Sequence, residues 1–237
     1  MVSVDTVYQR VLALANKEQR GYITPQEFNL LANQAQMVIF DQYFYDLEKF
    51  DNDYGNETEY SDMVKTLNEK LSIFKKFDTA LVKNGSFFEY PADMYKLGTL
   101  YYAPTALLED GVEIEEIYYD QLLDYYNSPL TKPNKSRPLY IRREEGIRII
   151  SASAISSGVL ATYVRKPAKV NWGYVITLGE PMYNASAAVD FELHPSEETL
   201  LVIKILEMAG ITLNKPGLSQ LAAQEENDMI AQQKIKQ

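Results

Sequence analysis

Apolar residues recur at helical spacing through the first third of the chain. This spacing predicts a first helix over residues 3–16. Thr24, followed by a proline and then by Glu27, is typical of a helix start, because these two side chains can each bond the other residue's backbone amide. We therefore expect a second helix over residues 25–50 and a third over about residues 63–77.

The pattern then changes to short runs of β-branched and aromatic residues, broken by glycine and proline. Strands are predicted over residues 97–102, 111–119, 138–143, 147–151, 159–165 and 187–194. Residues 120–126 fit a short helix or a turn. Pro129, Pro133, Pro138 and Pro167 favour short strands over a large parallel sheet.

Helical spacing returns at Pro195, which opens a helix to about Ala209 that Gly210 should end. A final helix is expected from Pro216. The predicted fold class is α+β, a helical bundle formed by the N- and C-terminal helices with an inserted antiparallel β domain. The bundle comprises residues 1–78 and 195–237, and the inserted β-rich domain comprises residues 79–194.

Composition excludes several kinds of chemistry. The chain has no cysteine and one histidine, so thiolate zinc sites, disulfides, cysteine nucleophiles and His-rich metal sites are ruled out. The net charge of −10 argues against tight nonspecific DNA binding over the whole surface. No stretch reaches the roughly 18 uninterrupted apolar residues of a membrane span, so we expect no membrane partner.

Charge is unevenly distributed along the chain. Residues 132–169 contain nine basic and two acidic residues, whereas acidic residues concentrate in 41–62 and 109–124. Each cluster can be a solvated face. Alternatively, basic and acidic faces meet in a neighbouring copy or in another protein.

No motif indicates catalysis or cofactor binding. Residues 16–27 imitate a calcium-binding EF-hand loop, but Arg20 puts a cation where a ligand oxygen belongs. The acidic loop at 51–62 fits no EF-hand spacing, and His194 fits a capping role at a strand-to-helix junction. We expect no catalytic residues, no metal, no cofactor and no enzyme activity, although a carboxylate pair in a hydrolase stays open.

Several segments in order resemble one family. They are Phe88–Leu97 (FEYPADMYKL), Pro138–Ile141 (PLYI), Gly146–Ile149 (GIRI), Ala161–Pro167 (ATYVRKP) and Leu193–Pro195 (LHP). Together they resemble the head-to-tail connector proteins of tailed bacteriophages, the neck adaptor or ring proteins of short-tailed and crAss-like phages. The similarity extends from about Thr6 to the C-terminal helix.

The resemblance implies a structural subunit of a connector ring that links the portal to the tail. It implies a closed ring of about twelve copies, contacts with the portal protein and other neck or tail proteins, and location in the virion neck after synthesis in the host cytoplasm. Genomic DNA would pass through an acidic lumen without sequence-specific binding.

Interface candidates follow from the basic β segment, one tryptophan and the tail. They are Arg142, Arg143, Arg165, Lys166, Trp172, Gln224, Met229, Ile230 and Ile235. Solvated arginines, a packed tryptophan and a disordered tail are the alternatives for these residues. For the whole chain, a ligand- or carbohydrate-binding virion β module and a non-viral ligand-binding protein remain open; a concave aromatic pocket in the inserted domain would favour them.

Overall fold

The computed structural model describes residues 1–17, 22–52, 58–104, 111–212 and 224. The described residues form an α+β protein with five α-helices, an eight-stranded sheet and a two-stranded sheet. The helices are α1 (Val4–Lys17), α2 (Pro25–Asn52), α3 (Thr58–Ser72), α4 (Leu122–Asn127) and α5 (Glu198–Thr212). None of these helices combines the length and the apolar character needed to cross a bilayer.

The chain divides into two compact units. Unit 1 comprises Met1–Ile73 and Pro167–Gln237, and unit 2 comprises Phe74–Lys166. Unit 2 is shorter than the insertion expected over residues 79–194. It begins earlier because residues expected in a third helix form a strand, and it ends earlier because the chain after Lys166 packs with the helices of unit 1.

In unit 1, α1 and α2 start where the sequence predicts, whereas α3 starts at Thr58, before the predicted start near residue 63. The expected reciprocal cap of α2 is confirmed, since Thr24 N donates to Glu27 Oε2 at 2.9 Å and Glu27 N donates to Thr24 Oγ1 at 3.3 Å. His194 also caps, because its side chain accepts from the backbone amide of Ser196. The prediction that Gly210 ends the last described helix is wrong: α5 continues to Thr212 and packs against α1 and α2.

Three amide side chains of α2 hold the extended segment that begins at Pro167. Asn29 Oδ1 accepts from Trp172 N at 2.7 Å, and Asn33 both accepts from Val170 N and donates to Val170 O. Gln36, which is buried, donates to Ala168 O at 2.8 Å. These bonds satisfy the backbone of a segment without sheet partners and explain why it belongs to unit 1.

The prediction of a strand over residues 187–194 is wrong. Its backbone forms only isolated bridges, Val189 with Asn171 and Phe191 with Val2. A hairpin that the sequence analysis did not predict lies just before it, formed by β9 (Tyr174–Thr177) and β10 (Glu180–Tyr183).

Unit 2 is built on the eight-stranded sheet. Its strands are β1 (Lys75–Ala80), β2 (Lys83–Asn84), β3 (Phe87–Phe88), β4 (Met94–Tyr102), β5 (Val112–Glu116), β6 (Leu139–Arg143), β7 (Gly146–Ile150) and β8 (Val159–Arg165). Their order is β1-β8-β4-β5-β6-β7-β3-β2. The first and last strands in this order are joined by two residues, Leu81 and Val82, so the sheet curls until its edges come together.

Six of the seven strand pairings in this sheet are antiparallel, as the sequence analysis predicts, and one is parallel. Strands β5 and β6 run parallel, with Glu115 beside Leu139, and the remaining pairs are antiparallel. The parallel pair arises because residues 117–138 cross over through α4 instead of turning back directly.

The two faces of this sheet have separate cores. Side chains from β3 to β8, including Phe88, Leu100, Tyr140 and Tyr163, form the larger one. The alternate residues of β6, Leu139 and Ile141, point to the other face and pack with Ile117 and with the partly buried Leu122 of α4. The first three residues of β6 are therefore buried on both faces of the sheet, which explains why they are all apolar, whereas Arg142 near the end of the strand is exposed.

Candidate functional site

The sheet brings the four predicted basic residues to one end of unit 2. Arg165 closes β8 and pairs with Met94 at the start of β4. Because β4 is antiparallel to β5 and β5 is parallel to β6, the last residues of β6, Arg142 and Arg143, lie at this same end. With Lys166 they define the basic end of the sheet.

Arg142 is committed to its own subunit. Its Nε lies 2.7 Å from Glu116 Oε1, and its Nη2 donates to Glu116 Oε2 at 2.8 Å. Tyr140 donates to the same Oε2 at 2.8 Å. Burial raises the pKa of Tyr140 to about 12, so the phenol stays a donor at neutral pH. The contact between the Arg142 guanidinium and the Glu116 carboxylate is therefore bidentate, which makes it geometrically specific.

Arg143 is available for a partner. Its guanidinium lies 5.4 Å from the ring centre of Tyr119 and 6.0 Å from that of Phe87. Among the described residues, no carboxylate forms an ion pair with it. Arg165 lies over the ring of Phe74 at 5.7 Å, and Lys166 is exposed.

Trp172 is not on the surface of the described chain. It is buried in unit 1, where its indole N–H donates to Asp5 Oδ1 at 2.9 Å. Its ring contacts Tyr8, Tyr174 and Tyr183 at 4.4 to 5.9 Å between ring centres. The indole therefore anchors the base of the hairpin within its own subunit.

The predicted tail contacts fall almost entirely outside the described residues. Gln224 is an exposed helical residue. Met229, Ile230 and Ile235 lie outside the described residues, as does part of the EF-hand-like segment.

The hairpin is an exposed apolar surface that the sequence prediction missed. Its exposed apolar side chains are Val175, Ile176, Leu178, Met182 and Tyr183. A two-stranded hairpin is marginally stable alone, and this one is held at its base by the stacking of Tyr174 and Tyr183 on Trp172. The sequence signal was present, since Tyr174–Thr177 is rich in strand formers and Gly179 follows closely.

The tip of the hairpin has an unusual residue in a strained conformation. Leu178 and Gly179 both have positive φ, 54° and 86°, as in a type I′ turn. Such turns favour Asn-Gly or Asp-Gly, whereas an L-residue with a bulky side chain costs roughly 1–2 kcal/mol in this region. The turn therefore holds a fully exposed leucine at an energetic cost.

A second exposed apolar surface lies in unit 2. We name it the 118–130 patch; its members are Tyr118, Tyr119, Leu123, Tyr126 and Leu130. The patch is continuous with the basic end, because the Tyr119 ring contacts the Arg143 guanidinium. The helical spacing of Tyr119, Leu123 and Tyr126 places them on one face, while Leu122 and Tyr125 pack against the core. An exposed apolar face of this kind marks an interaction site.

Unit 2 also contains a cleft of about 450 Å³ whose lining is about half polar and half apolar. It is lined by Glu113, Glu115, Glu116 and Arg137, and Arg137 pairs with Glu115 at 3.1 Å. Tyr140 also lines it, but that ring is buried and its hydroxyl is bonded to Glu116. The described lining thus presents no open aromatic face of the kind that stacks on sugars.

Net charge separates between the units. Unit 2 contains twelve basic and twelve acidic residues, so the chain's net charge of −10 resides in unit 1. No protein-family model matches this chain, and no curated protein matches its sequence.

Proposed function

We propose that the chain is a structural subunit of a phage head-to-tail connector ring, a neck or tail adaptor that links the portal to the tail and forms part of the DNA conduit. The observation that carries this proposal is the separation of charge between an acidic helical unit and a neutral sheet unit with a basic end. The resemblance of the strand segments to connector proteins supports the same role.

The charge separation suits a conduit. An acidic unit 1 facing the channel repels the phosphates of passing DNA and prevents it from sticking. The basic end of unit 2 is then kept for contacts with protein, where complementary charge gives specificity. A ring of about twelve copies multiplies a charge of −10 into a strongly negative lumen.

The helices of unit 1 support the bundle that a connector subunit requires. Helix α5 comes from the C-terminal part of the chain and packs against α1 and α2 from the N-terminal part. We propose that the N- and C-terminal helices form one bundle, into which unit 2 is inserted.

The curled sheet of unit 2 supports assembly through side chains. Because its edge strands come together, it offers little backbone for uncontrolled strand addition. Contacts with neighbours then depend on the ends of strands and on loops, which a ring can use in a defined order. A carbohydrate-binding module has less support from the cleft of unit 2, because its tyrosine ring is buried. The aromatic pocket that such a module needs would instead be the cavity of about 230 Å³ in unit 1, which Tyr22 and Tyr183 line.

Electron microscopy of the purified full chain tests the proposal. Negative-stain class averages over rising protein concentration should show closed rings with an open centre. Fluorescence anisotropy with a duplex DNA probe should show no binding at ~0.15 M salt, where screening leaves only short-range attraction. Monomers at every concentration, or tight DNA binding at that salt, would argue against a connector.

A further inference from the structure

We propose that the hairpin of one copy docks on the 118–130 patch of the next copy, with Glu180 facing Arg143. The inference rests on the proposed ring and adds to it the two surfaces that meet. The partner is thus a second copy of this chain.

The hairpin has the features of an inserted element. It presents apolar side chains on both strands, and a leucine at its tip is held in a backbone conformation that favours asparagine or glycine. Its base is fixed by Trp172, so little ordering is required when it binds. An exposed leucine retained against the preference of its turn points to a function for that side chain.

Charge selects the partner. Residues 170–203 contain five acidic residues and no lysine or arginine, which disfavours docking on an anionic membrane surface. Within the hairpin the charged residue is Glu180, which is exposed. The patch borders Arg143, whose guanidinium forms no ion pair with a described carboxylate. The apolar tip of the hairpin therefore complements the apolar 118–130 patch, and the Glu180 carboxylate complements the Arg143 guanidinium.

One chain carries both halves of this contact. Two different surfaces that fit each other form a heterologous contact, and such contacts close into rings when the rotation between copies allows it. The hairpin lies in unit 1 and the patch lies in unit 2. Each copy can therefore bind one neighbour through its hairpin and the other neighbour through its patch.

Leu178→Asn separates folding from docking. Asn-Gly is a preferred type I′ sequence, so the hairpin should persist while the apolar tip is lost. Mass photometry of the full chain should show assembly at least roughly tenfold weaker than wild type. Leu30→Asn is the matched control, because Leu30 is an exposed leucine of the same unit outside the hairpin; it should assemble as wild type does.

A charge exchange identifies the receiving surface. Glu180→Arg and Arg143→Glu should each weaken assembly, and the double variant should recover most of it. Rings that form equally well with Leu178→Asn would overturn the hairpin contact but leave the connector role intact. No recovery in the double variant would overturn the patch as receiver. Binding of the wild-type chain to vesicles of phosphatidylglycerol through Leu178 would overturn this contact alone, whereas a wild-type chain that never self-associates would overturn both this contact and the ring.

Discussion

Of the ion pairs described in each unit, Lys70–Glu197 in unit 1 and Arg142–Glu116 in unit 2 have short contacts and differ in burial. In unit 1, Lys70 of α3 pairs with Glu197 at the start of the last described helical segment, with side chains 21% and 8% exposed. In unit 2, Arg142 pairs with Glu116, with side chains 45% and 39% exposed. The same attraction therefore acts in two different dielectric environments.

This difference in burial indicates that the Lys70–Glu197 pair stabilises the fold, whereas the Arg142–Glu116 pair mainly orders side chains at the surface. Glu197 is buried and Lys70 is half-buried, and the Lys70 ammonium also lies 5.6 Å from the centre of the Tyr43 ring. Burial, and then the charge of Glu197, raise the pKa of Tyr43. Loss of one partner leaves a buried charge without compensation. At the exposed pair, water replaces a missing partner at little cost.

The largest effect is expected at the buried pair. Lys70→Met should lower the free energy of unfolding by about 3–5 kcal/mol, because Glu197 stays buried without its cation. Urea unfolding followed by the fluorescence of Trp172, the single tryptophan, reports on unit 1 directly. Lys169→Met, at an exposed site of the same unit, is the control and should change little.

The Lys70→Met/Glu197→Met double variant sharpens this test. With both charges removed, stability should return at least halfway to wild type, since well-packed apolar replacements of buried pairs are often neutral. A double variant as unstable as the single one would show that packing, not the unpaired charge, causes the loss.

A smaller effect is expected at the cap of α2. Thr24→Ala should cost about 1 kcal/mol, measured by the same unfolding curves. The Glu27 carboxylate accepts hydrogen bonds from the backbone and the side chain of Thr24, and these bonds lower the pKa of Glu27 below its usual value of 4.5. The cap therefore contributes its full stability at pH values above the pKa that Glu27 has in the unfolded chain. This stability is lost as the pH falls through the lower pKa that Glu27 has in the folded protein. Equal acid sensitivity of Glu27→Ala and wild type would contradict this assignment.

In unit 2, a change in stability of similar size is expected at Tyr140, and it depends on pH in the alkaline range. Because the folded pKa of Tyr140 is raised to about 12 from 10, stability from the neutral phenol is full below pH 10 and is lost as pH rises toward 12. Tyr140→Phe should cost about 1 kcal/mol at neutral pH through the lost hydrogen bond. It should then lose less stability than wild type from pH 10 to 12, as hydrogen exchange of β6 peptides would report.

The smallest effect is expected at the exposed pair. Glu116→Gln should cost about 0.2–1 kcal/mol, because water and the remaining amide oxygen can serve Arg142 and Tyr140. Hydrogen exchange of β5 and β6 provides the measurement. A loss as large as that of Lys70→Met would remove the contrast between the two units.

The sequence was most informative where local rules decide the structure. The cap at Thr24 and Glu27 and the strands now called β6, β7 and β8 depend on neighbouring residues and on short apolar runs. These features could be predicted within a residue or two at each boundary.

Sequence reasoning failed where distant residues decide the structure. The segment after Pro167 has no sheet partner, and its place depends on Asn29, Asn33 and Gln36 of a helix more than a hundred residues away. Those amides occur at helical spacing inside an apolar helix, which was the available signal. Likewise, the joining of the sheet edges depends on strand order, which local periodicity does not encode.

The candidate surface was predicted in part. The arginines of β6 and β8 were identified by charge, but their meeting at one end of the sheet required the register. The hairpin was missed, because its exposed leucine departs from the turn chemistry that identifies a type I′ hairpin.

Quantitative mass spectrometry of purified phage particles tests the proposed connector role most directly. The measured quantity is the number of copies per particle relative to the major capsid protein. A connector ring predicts about a dozen copies. Hundreds of copies, or absence from the particles, would contradict it.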